Sequence, residues 1–432
     1  MEELSLEPMA DDEVASDSSL ETALPPIDGG RDAWLVLIAC SLLEALVWGF
    51  PFAFGVFQEY YAGLEQFSES KYQLATIGTT ATGLMYLTAP IVYTILRKYP
   101  HQRKKISILG FVVAMVSLVG ASFANTVSHL QATQGVFYAL GGSLHYFPAF
   151  LYLDEWFVRR RGFAYGVFIA GGGAAGVMVP FLMEWILHSW GFRTALRVWV
   201  VISVAITTPS MFCLKSYPAI HQPGRVERRH PWQFLKSPAL WILGFANVVQ
   251  SLGYFMPLLY LPAFAVAQGW GSFTGTVAVS ICNGANVLGA IFVGWLVDRY
   301  HVTTAINFCT LGTVFAVFLF WSFAVNQPLL YIFAFTYGLF AGGFPATWSG
   351  CSNSVRRTYP VETGMIISLF TAGKGIGSVI SGPVSGALAM SDSWKNHATF
   401  AYGSGYGYLI IFSGCTASFA GIGWIGKRLG VV

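Results

Sequence analysis

The chain has 432 residues, of which 55% are hydrophobic and only 10% charged. A soluble domain carries about 25% charge, so this composition argues for one membrane body in two halves, not for two or three soluble domains. The net charge of +3 gives no support to a nucleic-acid partner. The cysteines (Cys40, Cys213, Cys282, Cys309, Cys351 and Cys415) all fall in apolar stretches and form no C-x-x-C pair. They read as small apolar residues, not as a disulfide framework or a metal site.

Residues 1–32 are rich in acids (Glu2, Glu3, Glu7, Asp11, Asp12, Glu13, Asp17, Glu21), serines and the pair Pro25–Pro26. With no basic start and no apolar run, they are not a signal peptide. They are expected to form a disordered cytoplasmic tail. About 20 mostly apolar residues are needed to cross the hydrocarbon core. Twelve stretches qualify: 33–57, 73–96, 105–124, 130–152, 162–187 and 194–214, then 238–266, 274–297, 303–325, 328–350, 363–389 and 401–425. The segment 215–237, with Pro218, Pro223, Gly224 and Pro231, is polar and central. It reads as the cytoplasmic linker between a bundle over 33–214 and a bundle over 238–425, with a short cytoplasmic tail at 426–432.

Basic residues orient these spans. With both termini in the cytoplasm, 19 of the 24 Lys and Arg residues fall inside, and Lys71, Arg193, Arg197 and Lys395 fall outside. Such a split is a positive-inside signal and requires an even number of spans. The expectation is a multi-pass protein of the plasma membrane, monomeric in the bilayer. The halves also echo each other. Phe147-Pro148-Ala149 recurs as Phe344-Pro345-Ala346. The Gly-rich run at 171–180 resembles that at 373–383. These runs lack the G-K-[ST] ending of a nucleotide loop and suit close helix packing better than phosphate binding.

Residues 294–300, GWLVDRY, follow span 8. They resemble the G-x-L-x-D-R loop motif of the major facilitator superfamily, on Gly294, Leu296, Asp298 and Arg299. The resemblance implies the fold of that superfamily: an all-α membrane protein with twelve transmembrane helices in two pseudo-symmetric six-helix bundles. It also implies a conformational latch at Gly294, Asp298 and Arg299. The loop after span 2 departs from the motif, with Arg97 in place of the acid and Pro100 in place of a glycine. A latch in that half is therefore absent or built differently.

Longer stretches resemble the monocarboxylate-porter-like transporters of fungi: 32–61, 156–180, 191–198, 252–265 and 381–388. The resemblance implies a secondary active or facilitative carrier of a small organic anion, by alternating access and with possible proton coupling. Two cations found in relatives are missing, because Phe52 follows Pro51 and Ala290 stands after Gly289. Export of a secondary metabolite is therefore kept beside uptake of a monocarboxylate. A non-transporting sensor is the alternative of another class, and the short tails argue against it. An enzyme is not expected, since no H-E-x-x-H, G-x-S-x-G or Cys/His cluster is present, and no cofactor is implied.

A charge at membrane depth costs at least about 2.5–3.5 kcal/mol, which marks it as a functional candidate. Lys374 in span 11 can meet an anionic substrate, or simply snorkel. Glu44 in span 1 can carry a proton, or bond a neighbouring helix. His145 in span 4 can titrate or join helices. Trp48, one turn after Glu44, shares its face. Gln250, Asn283 and Asn286 place further polar groups on cavity-prone spans, or serve as glue between helices.

Overall fold

The computed structural model describes residues 26–158, 160–218, 233–359, 361, 363–391, 393–395 and 397–428. Most of the expected acidic tail and the middle of the expected linker, residues 219–232, lie outside the described residues.

Among the described residues, ten helices are long and apolar enough to cross a membrane. One of them, Phe163–Cys213, is 51 residues long. It reverses at Gly191, whose φ of 79° suits glycine alone, and so makes two crossings. A further crossing, 127–156, is helical throughout with a π-helical turn at Gln131–Phe137, and is left out of that count because its polar residues lower its mean hydropathy. The twelve helices are α1 (Gly30–Ala62), α2 (Leu74–Lys98), α3 (Pro100–Ala121), α4 (127–156), α5 (161–190), α6 (192–213), α7 (Pro238–Ala267), α8 (Ser272–Arg299), α9 (Val302–Trp321), α10 (Gln327–Arg356), α11 (Thr363–Met390) and α12 (Gly407–Arg428).

Order begins ahead of the first expected span. The Asp28 carboxylate accepts from the Val158 and Arg160 amides at 2.8 Å, and the Asp28 amide donates to Trp156 O at 3.0 Å. The start of α1 is thereby stapled to the α4–α5 turn.

Helices α1–α6 and α7–α12 form two bundles, and their seam follows a rule. Helix α5 of the first bundle packs on α8, α2 packs on α11, and α1 meets α7. A shift by six elements exchanges α2 with α8 and α5 with α11, so the first two contacts are images of each other. The two Gly-rich runs make both contacts. On α5, a side-chain carbon at Gly171 would lie 2.4 Å from Ser41 O of α1, and one at Gly173 would lie 1.8 Å from Val287 of α8. On α11, one at Gly377 would meet Ser251 of α7 at 2.5 Å, and one at Gly375 would meet the Leu87 amide of α2 at 2.5 Å. Each run thus lies against a helix of its own bundle on one side and the other bundle on the opposite side. Lipid gives no hydrophobic drive between apolar helices, so close backbone approach is what makes such a seam hold.

At the basic end of the first bundle, Arg103 forms an ion pair with Glu155, whose second oxygen accepts the Tyr217 amide at 3.2 Å. Trp156 Nε1 donates to Lys215 O at 2.7 Å. The loop that lacks the motif acid is tied down by this network instead. Of the cysteines, Cys40, Cys282, Cys309 and Cys351 are buried as expected, Cys213 is half-buried, and Cys415 is exposed on the helix surface.

A bulky side chain at Gly375 should force α2 and α11 apart. Gly375→Leu is expected to cost at least about 1–3 kcal/mol by overpacking, read as a lowered thermal midpoint in detergent. Gly294→Ala is the control, because nothing lies within 4 Å of a side-chain carbon there.

Candidate functional site

Lys374 lies midway along α11, within the Gly-rich run, and is 3% exposed. Small neighbours on both sides let other helices close over it. Its Nζ sits 3.8 Å from the ring centre of Tyr254, 5.4 Å from Tyr86, 5.5 Å from Phe255 and 5.9 Å from Trp348. These rings come from α7, α2 and α10, so both bundles contribute. Ring faces attract a cation by about 0.5–2 kcal/mol each, the upper value when desolvated. Among the described residues no carboxylate pairs with Lys374. Glu44 and Lys374 are thus not an ion pair.

Tyr86 links this cage to a second aromatic group. Trp48 of α1 lies 4.7 Å from Tyr86, 5.6 Å from Tyr146 and 5.7 Å from Phe52, centre to centre. Glu44, one turn before Trp48, is buried, and among the described residues its Oε2 has no hydrogen-bond partner. It lies against Gly172 of α5, where a side-chain carbon would come within 3.1 Å of Oε1. Tyr86 and Tyr146 are within its electrostatic reach. Glu44, Trp48 and Lys374 are therefore joined in one continuous cluster across the seam, with Tyr86 between its halves.

The other expected residues fall in different places. Gln250 is buried on the α7 face that carries Tyr254, one turn away. Asn283 donates from Nδ2 to Gly176 O at 2.9 Å and so ties α8 to α5. Asn286 packs within the second bundle, where Gly342 of α10 leaves room for its Oδ1. His145 is turned away from the cage. Its Nδ1 meets Ser107 O at 2.9 Å and Ser107 Oγ at 3.0 Å, joining α4 to α3. Because a carbonyl only accepts, Nδ1 carries the hydrogen there. Asp298 is exposed, and among the described residues it makes no hydrogen bond or ion pair. Arg299 stacks over Trp295 at 4.6 Å, and Gly294 has open space beside it.

Sequence reasoning missed Tyr86, Tyr254, Phe255 and Trp348, as well as Asn247. The Asn247 amide donates to Phe370 O at 2.7 Å, while its Oδ1 accepts from Trp348 Nε1 at 3.1 Å. It fixes the ring that closes one side of the cage. The usable signal was its place on the same α7 face as Gln250 and Tyr254.

Comparison with known proteins bears on what this seam belongs to. The family model described as Major Facilitator Superfamily matches residues 36–349. The chain belongs to the Major Facilitator Superfamily. Among its relatives is the MFS-type transporter pynF of Aspergillus niger, 24% identical, with 86% of this chain and 85% of that one covered. Another is the aspyridones efflux protein apdF of Emericella nidulans, 24% identical, covering 93% and 79%. Among solved structures, the nucleoside transporter NupG superposes with a TM-score of 0.67 at 13% identity, covering 92% of this chain and 100% of that one. At that identity the likeness bears on the fold alone. The protein is a multi-pass membrane transporter of the superfamily, and its substrate is a small molecule.

Removing the amide of Asn247 leaves Trp348 Nε1 without its partner at a buried position and takes the second bond from Phe370 O. Asn247→Ala is expected to destabilise by about 1–3 kcal/mol and to change the tryptophan fluorescence of the folded protein, which a spectrum in detergent would read.

Proposed function

We propose that this superfamily member exports a small organic anion with an apolar body, such as an acidic secondary metabolite, by alternating access around Lys374. The observation that carries the reading is the caged ammonium: Lys374 is ringed by four aromatic side chains at the seam of both bundles and, among the described residues, has no carboxylate partner. An ammonium without a fixed counter-ion is free to meet one carried by a ligand, and the rings offer stacking to that ligand's body. The cations missing at Phe52 and Ala290 are thereby replaced from α11. The efflux relative favours export, while uptake of a monocarboxylate is the second reading, favoured by the resemblance of the span 5 and span 7 stretches.

Glu44 is the coupling carboxyl in this proposal. It is buried, one turn from Trp48, and its Oε2 has no partner among the described residues, so a proton can be taken up beside the substrate and released when the site turns to the other side. In this reading the protein works as a monomer in the plasma membrane, and the basic loops support an orientation with both termini in the cytoplasm.

Lys374→Ala should abolish transport, at least tenfold on the scale of one lost charge-assisted contact of about 1.5–3 kcal/mol, with unchanged membrane expression. Full transport by that variant rejects the anion site. Glu44→Gln should transport without responding to a pH gradient, and an unchanged response rejects the coupling role. Metabolite profiles inside and outside cells with and without the protein decide direction: depletion inside supports export, accumulation inside supports uptake.

A further inference from the structure

One buried carboxylate takes no part in the site above. Glu184 of α5 lies at the end remote from the basic loops and is 7% exposed. Its Oε1 accepts from Ser272 Oγ at 2.5 Å and its Oε2 from Thr276 Oγ1 at 3.1 Å, both on α8 of the other bundle. His188, one turn further along α5, places Nε2 3.3 Å from Glu184 Oε1 and 3.4 Å from Ser272 Oγ. A single carboxylate thus collects donors from both bundles.

The bundles are in close contact at this end. A side-chain carbon at Gly55 of α1 would lie 2.4 Å from Leu258 O of α7, and one at Gly386 of α11 would lie 2.4 Å from Tyr72 O, just ahead of α2. Those contacts are apolar or backbone packing, which slides apart without breaking a specific bond. The Glu184 bonds are different, since opening this end must break them.

The surroundings supply further titratable groups. From α1, Glu59 lies within electrostatic reach of Glu184 and His188, and the Tyr60 ring is 5.9 Å from the His188 ring. Beyond Glu59 lies Tyr406, just ahead of α12, which meets Tyr260 of α7 at 5.9 Å. The nearby cations of α6 are engaged elsewhere, Arg193 with Asn125 and Arg197 with Ser122. From α8 come only the two hydroxyls.

We propose that Glu184 is a positioning residue of the transport cycle, one that ties α5 to α8 as a carboxylate, holds this end shut, and lets it open on taking up a proton. An ionised carboxylate accepts both hydroxyls in charge-assisted bonds, about twice as strong as neutral ones. The acid form keeps fewer acceptor sites and must place its own hydrogen, so the tie across the seam weakens. Ligand-driven opening then starts from a smaller energy gap. This role is independent of what Lys374 binds.

The test uses the full chain in proteoliposomes, with Cys213 and Cys415 replaced by serine and Leu259→Cys as reporter. Leu259 is 6% exposed in α7, and its carbonyl faces Gly55 of α1, so a membrane-impermeant maleimide reaches it only when this end opens. In the reporter background, labelling should be slow and should speed up as the medium is acidified. Adding Glu184→Gln should make it on the order of tenfold faster and insensitive to pH. Ser272→Ala/Thr276→Val, which keeps the carboxylate but removes its partners, should also label faster in neutral medium. Background labelling with intact pH dependence in Glu184→Gln overturns the proposal. Should that variant fail to reach the membrane, an unchanged rate in Ser272→Ala/Thr276→Val overturns it, and a faster one supports it.

Discussion

Everything in this transporter depends on how closely α5 and α11 approach their neighbours. Lipid is as apolar as the helix surfaces it bathes, so two six-helix bundles gain little by hiding leucines from it. What holds them together is close approach, which glycine allows at Gly173 against the Val287 side chain and at Gly375 against the Leu87 amide, while Gly171 and Gly377 draw each run against its own bundle. The same approach closes the cage around Lys374. With no side chains on Gly373 and Gly375, helices α2 and α7 come near enough for their rings to close around Lys374. Packing and chemistry are set by the same residues.

The pseudo-symmetry explains why the site is lopsided. Gly172 of α5 lies against Glu44 of α1, and Gly373 of α11 lies against Asn247 of α7. One half thus offers an acid at this place and the other an amide. The cation belongs to the second half alone, and the rings around it come from both. The two pseudo-symmetric halves thus keep equivalent contacts at the seam while differing in the side chains placed there.

Much of the fold was legible in the sequence because membrane thermodynamics is crude and local. Twenty apolar residues make a span whatever their partners are, and the Gly-rich echo at 171–180 and 373–383 marked the seam. Lys374 and Glu44 were legible for the same reason, as costly charges in apolar runs. The cage was not. Tyr86, Tyr254, Phe255 and Trp348 look like any aromatics in a chain with 16% of them, and their meeting depends on three helices far apart in sequence. Asn283 and His145 stood out as polar, but polarity alone does not say which neighbour a helix face meets. Each turned to a backbone carbonyl of an adjacent helix. Glu184 was overlooked because it lies near the end of an expected span, where a charge costs little and draws no notice.

The staple at Asp28 has a consequence for handling the protein. Its carboxylate caps the amides of Val158 and Arg160 on the α4–α5 turn, and Lys215 reaches Asp32 at 3.3 Å at the same end. The polypeptide that precedes residue 26 therefore leaves from a point anchored to the first bundle and carried with it. A fluorophore attached at residue 26 would follow the first bundle, and one attached at Arg428 would follow the second. Energy transfer between the two would report the angle between the bundles while leaving every residue of the seam untouched.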